Sequence, residues 1–157
     1  MLDITDELRA LIALLDEHEV AYALCGGMAM AVHGRARTTI DIDLMILSES
    51  LDQTLAIARS LGYNIRGKDL SFANGVIEIR RVSKIDPGDG ELLSLDLLLV
   101  TPEILEIWES RAEAAWEGKR LSVVSGTGLI ALKQLRGSDQ DLVDIKALRG
   151  EDSDETG

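Results

Sequence analysis

The sequence predicts an α/β (α+β) fold, a mixed twisted β-sheet with flanking α-helices, on three observations. Its 157 residues match one domain by the prior of roughly 100–200 residues per domain. Amphipathic helical stretches alternate with short apolar runs of β character, and no internal repeat or low-complexity linker interrupts them. Apolar residues make up 46% and charged residues 28%, enough for a buried core beneath a solvated surface.

The elements follow in order. Residues 6–18 read as a helix: Thr5 caps it, Asp6 and Glu7 complement the positive end of its dipole, and Leu8, Leu11, Ile12 and Leu15 recur at helical spacing. Residues 20–25 read as a short strand that breaks at Gly26-Gly27, and a small-residue helix over 28–33 stops at Gly34. The next strand covers 39–47. Residues 50–61 form a second amphipathic helix, with Leu51, Leu55, Ala58 and Leu61 on one side and Gly62 as its stop. Strands are expected at 63–66, 70–73, 76–83 and 91–100, the last two joined by the turn cluster Asp86-Pro87-Gly88-Asp89-Gly90. Thr101-Pro102-Glu103 opens a helix running to about Glu113, with Trp108 on it and Trp116 at its end. Residues 121–124 read as a strand, and helices over 128–135 and 139–148 close the domain, Ser138 and Asp141 having capping-box spacing. Residues 1–150 are thus one domain, and 151–157 an acidic tail expected to be disordered.

Composition excludes several classes. No apolar run reaches the ~18 residues of a membrane span, and the N-terminus lacks the regions of a signal peptide. A single cysteine, Cys25, allows no intrachain disulfide, so a cytoplasmic location is expected. The net charge is −12, of which four negatives lie in residues 151–157, leaving −8 for the body. Such a field opposes an extended nucleic-acid surface, and 3% aromatics offers few stacking platforms.

The chemistry concentrates in a few positions. In the strand containing Ile40-Asp41-Ile42-Asp43-Leu44, alternation puts the two carboxylates on one face and the apolar residues on the other. Their α-carbons then stand about 6.5–7 Å apart, close enough for both side chains to lean onto a pair of metal ions, although a half-buried strand with a wet outer face has the same pattern. Asp96 sits in the run Leu92-Leu93-Ser94-Leu95-Asp96-Leu97-Leu98-Leu99-Val100, which reads as a strand covered on both faces. A carboxylate there requires compensation, either by a divalent cation shared with Asp41 and Asp43 or by an arginine or backbone amide. Gly26-Gly27 between strand and helix lets the backbone approach a ligand closely, and it is also a common tight turn. Neither a GxxxxGK[ST] nor a GxGxxG pattern is present.

Taken together, ALCGGMAMAVHGRARTTIDID from Ala23 to Asp43, followed by Asp96 on a later strand, resembles the signature of the DNA-polymerase-β-like nucleotidyltransferase superfamily. The His33-Gly34-x-x-Arg37-x-Thr39-x-Asp41-x-Asp43 form is similar to its small bacterial branch of abortive-infection and toxin–antitoxin systems. The C-terminal Lys133 followed by Asp141-x-x-Asp144 is similar to a helix pair of that branch. Where the superfamily commonly places a serine at or after the second glycine, this chain has Gly27-Met28.

The resemblance implies a minimal nucleotidyltransferase fold in which Asp41, Asp43 and Asp96 bind two Mg²⁺ ions and act as the catalytic carboxylates, with Asp96 helping to deprotonate the acceptor. It implies Gly26 and Gly27 as the triphosphate loop and Lys133 as a phosphate contact. Arg37, four residues before Asp41, either answers the triphosphate's charge or is a surface loop arginine. Lys133 follows an apolar stripe and is otherwise the solvated edge of a core helix. The implied reaction moves NMP from an NTP to a hydroxyl acceptor, a protein or an RNA end, with a cognate toxin or antitoxin as a possible partner class. A non-catalytic, antitoxin-like binding module and a small-molecule (antibiotic-type) nucleotidyltransferase are the alternatives.

Overall fold

The apolar run around Asp96 builds one of the two strands on which the molecule is organised. In the computed structural model the described residues are 2–32, 41–137, 145, 146, 148 and 149. Strand β6 (Leu92–Leu99) is buried from Leu93 onward. It pairs in parallel with β2 (Asp41–Ile46) and antiparallel with β5 (Ile77–Ile85). Around these three, the described strands form one mixed sheet in the order β3 (Ile65–Arg66), β5, β6, β2, β1 (Ala23–Cys25), β8 (Lys119–Val123), β7 (Ala112–Trp116); β4 (Leu70–Phe72) also pairs with β5.

Helix α1 (Ile4–Glu17) begins two residues earlier than its charge pattern suggests. Asp3, not Thr5, is the cap: its Oδ1 accepts from the amides of Thr5 at 2.9 Å and Asp6 at 3.1 Å. The stripe Leu8, Leu11, Ile12 and Leu15 is buried as the spacing predicts. Helix α2 (Gly26–Val32) starts at Gly26 itself, with no loop between strand and helix. In α3 (Leu51–Ser60) the buried residues are Thr54, Ile57 and Ala58, while Leu51, Leu55 and Leu61 are half-buried. Thr54 is tolerated inside because its hydroxyl donates to the Ser50 carbonyl at 2.8 Å.

α1 packs against α3 and β2 on the sheet face carrying Ile42, Leu44, Leu95 and Leu97. Glu7 ties α1 to that face, accepting from Tyr63 Oη at 2.9 Å and pairing with Lys84 of β5. α5 (Gly126–Arg136) stands on the other face, where its Leu129 and Leu132 approach Ile77, Ile79 and Leu98. Ser125 caps it by accepting from the Gly128 amide at 3.0 Å, and Gly137, in left-handed conformation, ends it.

One expected element changes type. The helix opened by Thr101-Pro102 is a short 3-10 turn followed by α4 (Leu105–Glu109), and residues 112–116 form β7 instead of continuing it. β7 and β8 make a hairpin through Glu117 (φ 50°) and Gly118 (φ 76°), two positive-φ residues of the kind a two-residue hairpin turn requires. The expected helix over 139–148 with Ser138, Asp141 and Asp144, the loop with His33, Gly34, Arg35 and Arg37, and the tail 151–157 fall wholly or mostly outside the described residues. Among the described residues no helix is long and apolar enough to cross a membrane.

Candidate active site

Strand register brings the acidic residues together. Asp43 of β2 is opposite Cys25 of β1 on one side and Asp96 of β6 on the other, and Asp96 is opposite Arg81 of β5. Paired residues project to the same face, so Cys25, Asp43, Asp96 and Arg81 form one row across four strands. Asp41 lies on that face in the adjoining row, opposite Ser94, whose hydroxyl bonds Ser83 at 2.9 Å. The intervening Ile42 and Leu44 point to the opposite face and are fully buried. The alternation in Asp-Ile-Asp-Leu thus divides chemistry from core.

Gly26 sets how closely β1 and β2 fit here. It has φ +68°, and a β-carbon on it would lie 2.0 Å from Asp43 Oδ2 and 2.7 Å from Asp43 Cγ. The carboxylate of Asp43 therefore occupies the space that the missing side chain leaves open. Gly27 is buried in the first turn of α2.

Asp43 and Asp96 border a narrow cleft of about 40 Å³ between the sheet and α5. Ile77, Ile79, Leu98, Leu129 and Leu132 give it apolar walls, and Lys133 and Arg136 bring positive charge to it. Lys133 is only 5% exposed. Loss of water around Asp43, followed by repulsion from Asp96 and Asp41, pushes its carboxyl up to about 7, with Arg136 and Lys133 acting in the opposite direction. The Cys25 thiol is pushed up by burial and then by Asp43, which makes it a poor nucleophile.

Asp96 is compensated by an arginine. Arg81 Nε donates to Oδ1 at 2.6 Å and Nη2 to Oδ2 at 2.9 Å, a two-pronged ion pair. This bond raises the guanidinium pKa, with desolvation opposing it. Among the described residues no three acidic, histidine or cysteine side chains form a ready-made metal group. The donor set nevertheless fits a hard dication: all three side chains offer oxygen, and positive charge beside Asp43 would relieve the repulsion that raises its carboxyl.

The structure thus assembles Asp43, Asp96, Gly26 and Lys133 around one cleft, with Asp41 on the same sheet face and close enough to act on Asp43; Gly27 is not part of its lining, and Arg37 is outside the described residues. Two cationic residues escape the sequence reading. Arg136 stands one helical turn after Lys133, an i, i+3 spacing that was available to find it. Arg81 needed the register of the β5–β6 hairpin, because the neighbouring Arg80 faces the other way.

No protein-family profile and no curated protein matches the chain. Solved structures do. A Thermotoga maritima protein assigned as a nucleotidyltransferase superposes with TM-score 0.65 at 14% identity, over 94% of this chain and 93% of its own. ANT(2'')-Ia, crystallised in complex with adenylyl-2''-tobramycin, gives 0.64 at 20% identity over 96% and 90%. The solution structure of the same antibiotic-resistance factor gives 0.65 at 20% identity over 96% and 85%. The chain has the nucleotidyltransferase fold.

Proposed function

We propose that this chain transfers a nucleoside monophosphate from an NTP to an acceptor hydroxyl on the face formed by Asp41, Asp43 and Asp96. One observation carries the proposal: three carboxylates share one sheet face beside a cleft that also receives Lys133 and Arg136. A site that only gripped a partner has no physical reason to crowd acids until one carboxyl rises to about 7.

The residues divide the work by charge. Asp41, Asp43 and Asp96 would hold two Mg²⁺ ions, which would offset charge on the attacking and leaving oxygens. Lys133 and Arg136 contact the triphosphate and orient it, Arg37 adds a further cation, and Gly26 and Gly27, at the start of α2, are the triphosphate-side glycines. The acceptor oxygen bonds to the α-phosphorus, the bond from that phosphorus to the bridging oxygen breaks, and pyrophosphate leaves. The proton of the acceptor hydroxyl passes to solvent or, where Asp96 is free of Arg81, to that carboxylate. The fold shared with ANT(2'')-Ia, solved with an adenylylated tobramycin, puts small polyhydroxylated acceptors in the first assays, ahead of protein hydroxyls and RNA ends. A toxin–antitoxin setting is compatible with the protein-acceptor arm of that screen.

Calorimetry with each of the four NTPs, with and without Mg²⁺, on wild type and Asp43→Asn tests the proposal. Metal-dependent binding that the substitution abolishes is the expected result. Absence of binding to all four NTPs overturns it.

A further inference from the structure

The two-pronged contact between Arg81 and Asp96 has a consequence for metal binding. Both carboxylate oxygens of Asp96 accept hydrogen bonds from Arg81, at 2.6 and 2.9 Å. A guanidinium and a dication held on one carboxylate repel each other. The two partners differ in freedom. The Arg81 side chain is 39% exposed and that of Asp96 11%, so the arginine has solvent into which it can withdraw while the carboxylate is fixed in the sheet. Arg81 also feels the fields of Asp41 and Asp43, which makes it the cation nearest in role to the one the acids would otherwise share.

We propose that Arg81 competes with the metal ion for Asp96, so that the three-carboxylate set closes only after the guanidinium has moved off. Resting on the nucleotidyl-transfer reading of this face, the proposal makes Arg81 a positioning residue that holds the site incomplete, and not a permanent support for Asp96.

The test is Mn²⁺ binding by calorimetry, without nucleotide, for wild type, Arg81→Lys, Arg81→Met, Asp96→Asn and the Arg81→Lys/Asp96→Asn double variant, each checked for folding by thermal melting. Lysine keeps the charge but cannot span both oxygens. Competition predicts that Arg81→Lys and Arg81→Met each bind Mn²⁺ about fivefold or more tighter than wild type, the lower end of usual coupling between sites. The gain must vanish when Asp96→Asn is present. Unchanged or weaker binding in Arg81→Lys overturns the proposal, as does a gain confined to Arg81→Met, which reports lost charge alone, or a gain that survives Asp96→Asn. If wild type binds Mn²⁺ and Arg81→Lys does not alter the affinity, only the competition fails. If neither wild type nor any variant binds Mn²⁺, the competition fails, while the nucleotidyl-transfer reading is decided separately by the NTP calorimetry.

Discussion

At the scale of single residues, Asp43 and Gly26 are one unit. The carboxylate fits because Gly26 has no side chain, and it is costly because water is lost around it while two other acids face it. Gly26→Ala is therefore expected to unfold at lower denaturant, by at least the ~1–3 kcal/mol of a non-glycine residue forced into left-handed backbone, and to lose nucleotide binding as Asp43 is displaced. Asp43→Asn should do the opposite to stability. The folded protein holds the Asp43 proton up to about pH 7, whereas an unfolded aspartate releases it near ~4. The stability this raised carboxyl contributes is present in full below the unfolded value and lost as pH rises towards 7, by at most about 1.4 kcal/mol per pH unit. In metal-free buffer, melting of Asp43→Asn and wild type should coincide near pH 4. The variant's advantage should widen to about pH 7 and then level. Excess Mg²⁺ should raise the wild-type melting temperature and leave the variant unmoved. A constant offset at every pH would contradict the assignment.

At the scale of elements, α5 carries the positive charge to the acids. Lys133 and Arg136 are one turn apart and both act on Asp43. Lys133→Gln and Arg136→Gln are each expected to weaken Mg²⁺-dependent NTP binding about tenfold, equivalent to about 1.4 kcal/mol, within the range for a charge-assisted hydrogen bond. Arg136→Gln, at an exposed position, should leave the melting nearly unchanged, whereas Lys133→Gln, at a buried one, should lower it; calorimetry and thermal melting separate the two effects. This helix was legible in the sequence, as were α1 and the strands bearing Asp41, Asp43 and Asp96, because period and alternation report which face is buried. β7 was not legible. Ala-Glu-Ala-Ala-Trp after a capped helix start has high local helix propensity, and only pairing with β8 makes it a strand. Glu117-Gly118 was the signal for that hairpin. The cap on α1 was misplaced by two residues for a similar reason: Asp3 and Thr5 are both competent caps, and the geometry of the turn chooses between them. The pairing of Asp96 with Arg81 was open in the sequence because an arginine, an amide or an ion would each satisfy a buried carboxylate, and a one-residue change of hairpin register would have presented Arg80 instead.

At the scale of the whole molecule, a cleft with two cations beside its acids is set in an acidic field. The net charge is −12, while Arg81, Lys133 and Arg136 surround the carboxylates. These act over different ranges. The net charge meets an approaching nucleotide at a distance, where salt screens it over a Debye length of about 10 Å at 0.1 M. The cleft cations act at contact, where screening is weak. The association rate of an Mg²⁺-bound nucleotide, itself an anion, should therefore rise severalfold as KCl is raised from about 20 to 200 mM, because salt removes the long-range repulsion before it touches the local attraction. The dissociation rate should change less. Stopped-flow fluorescence with a labelled ATP analogue at fixed excess Mg²⁺ gives both rates. A nucleic-acid-binding surface behaves in the opposite sense, its affinity falling steeply with salt as counterions are released. An association rate that falls with KCl would mean that the cleft cations reach beyond the acidic surface and steer the nucleotide in, so that long-range attraction and contact recognition both come from Lys133 and Arg136.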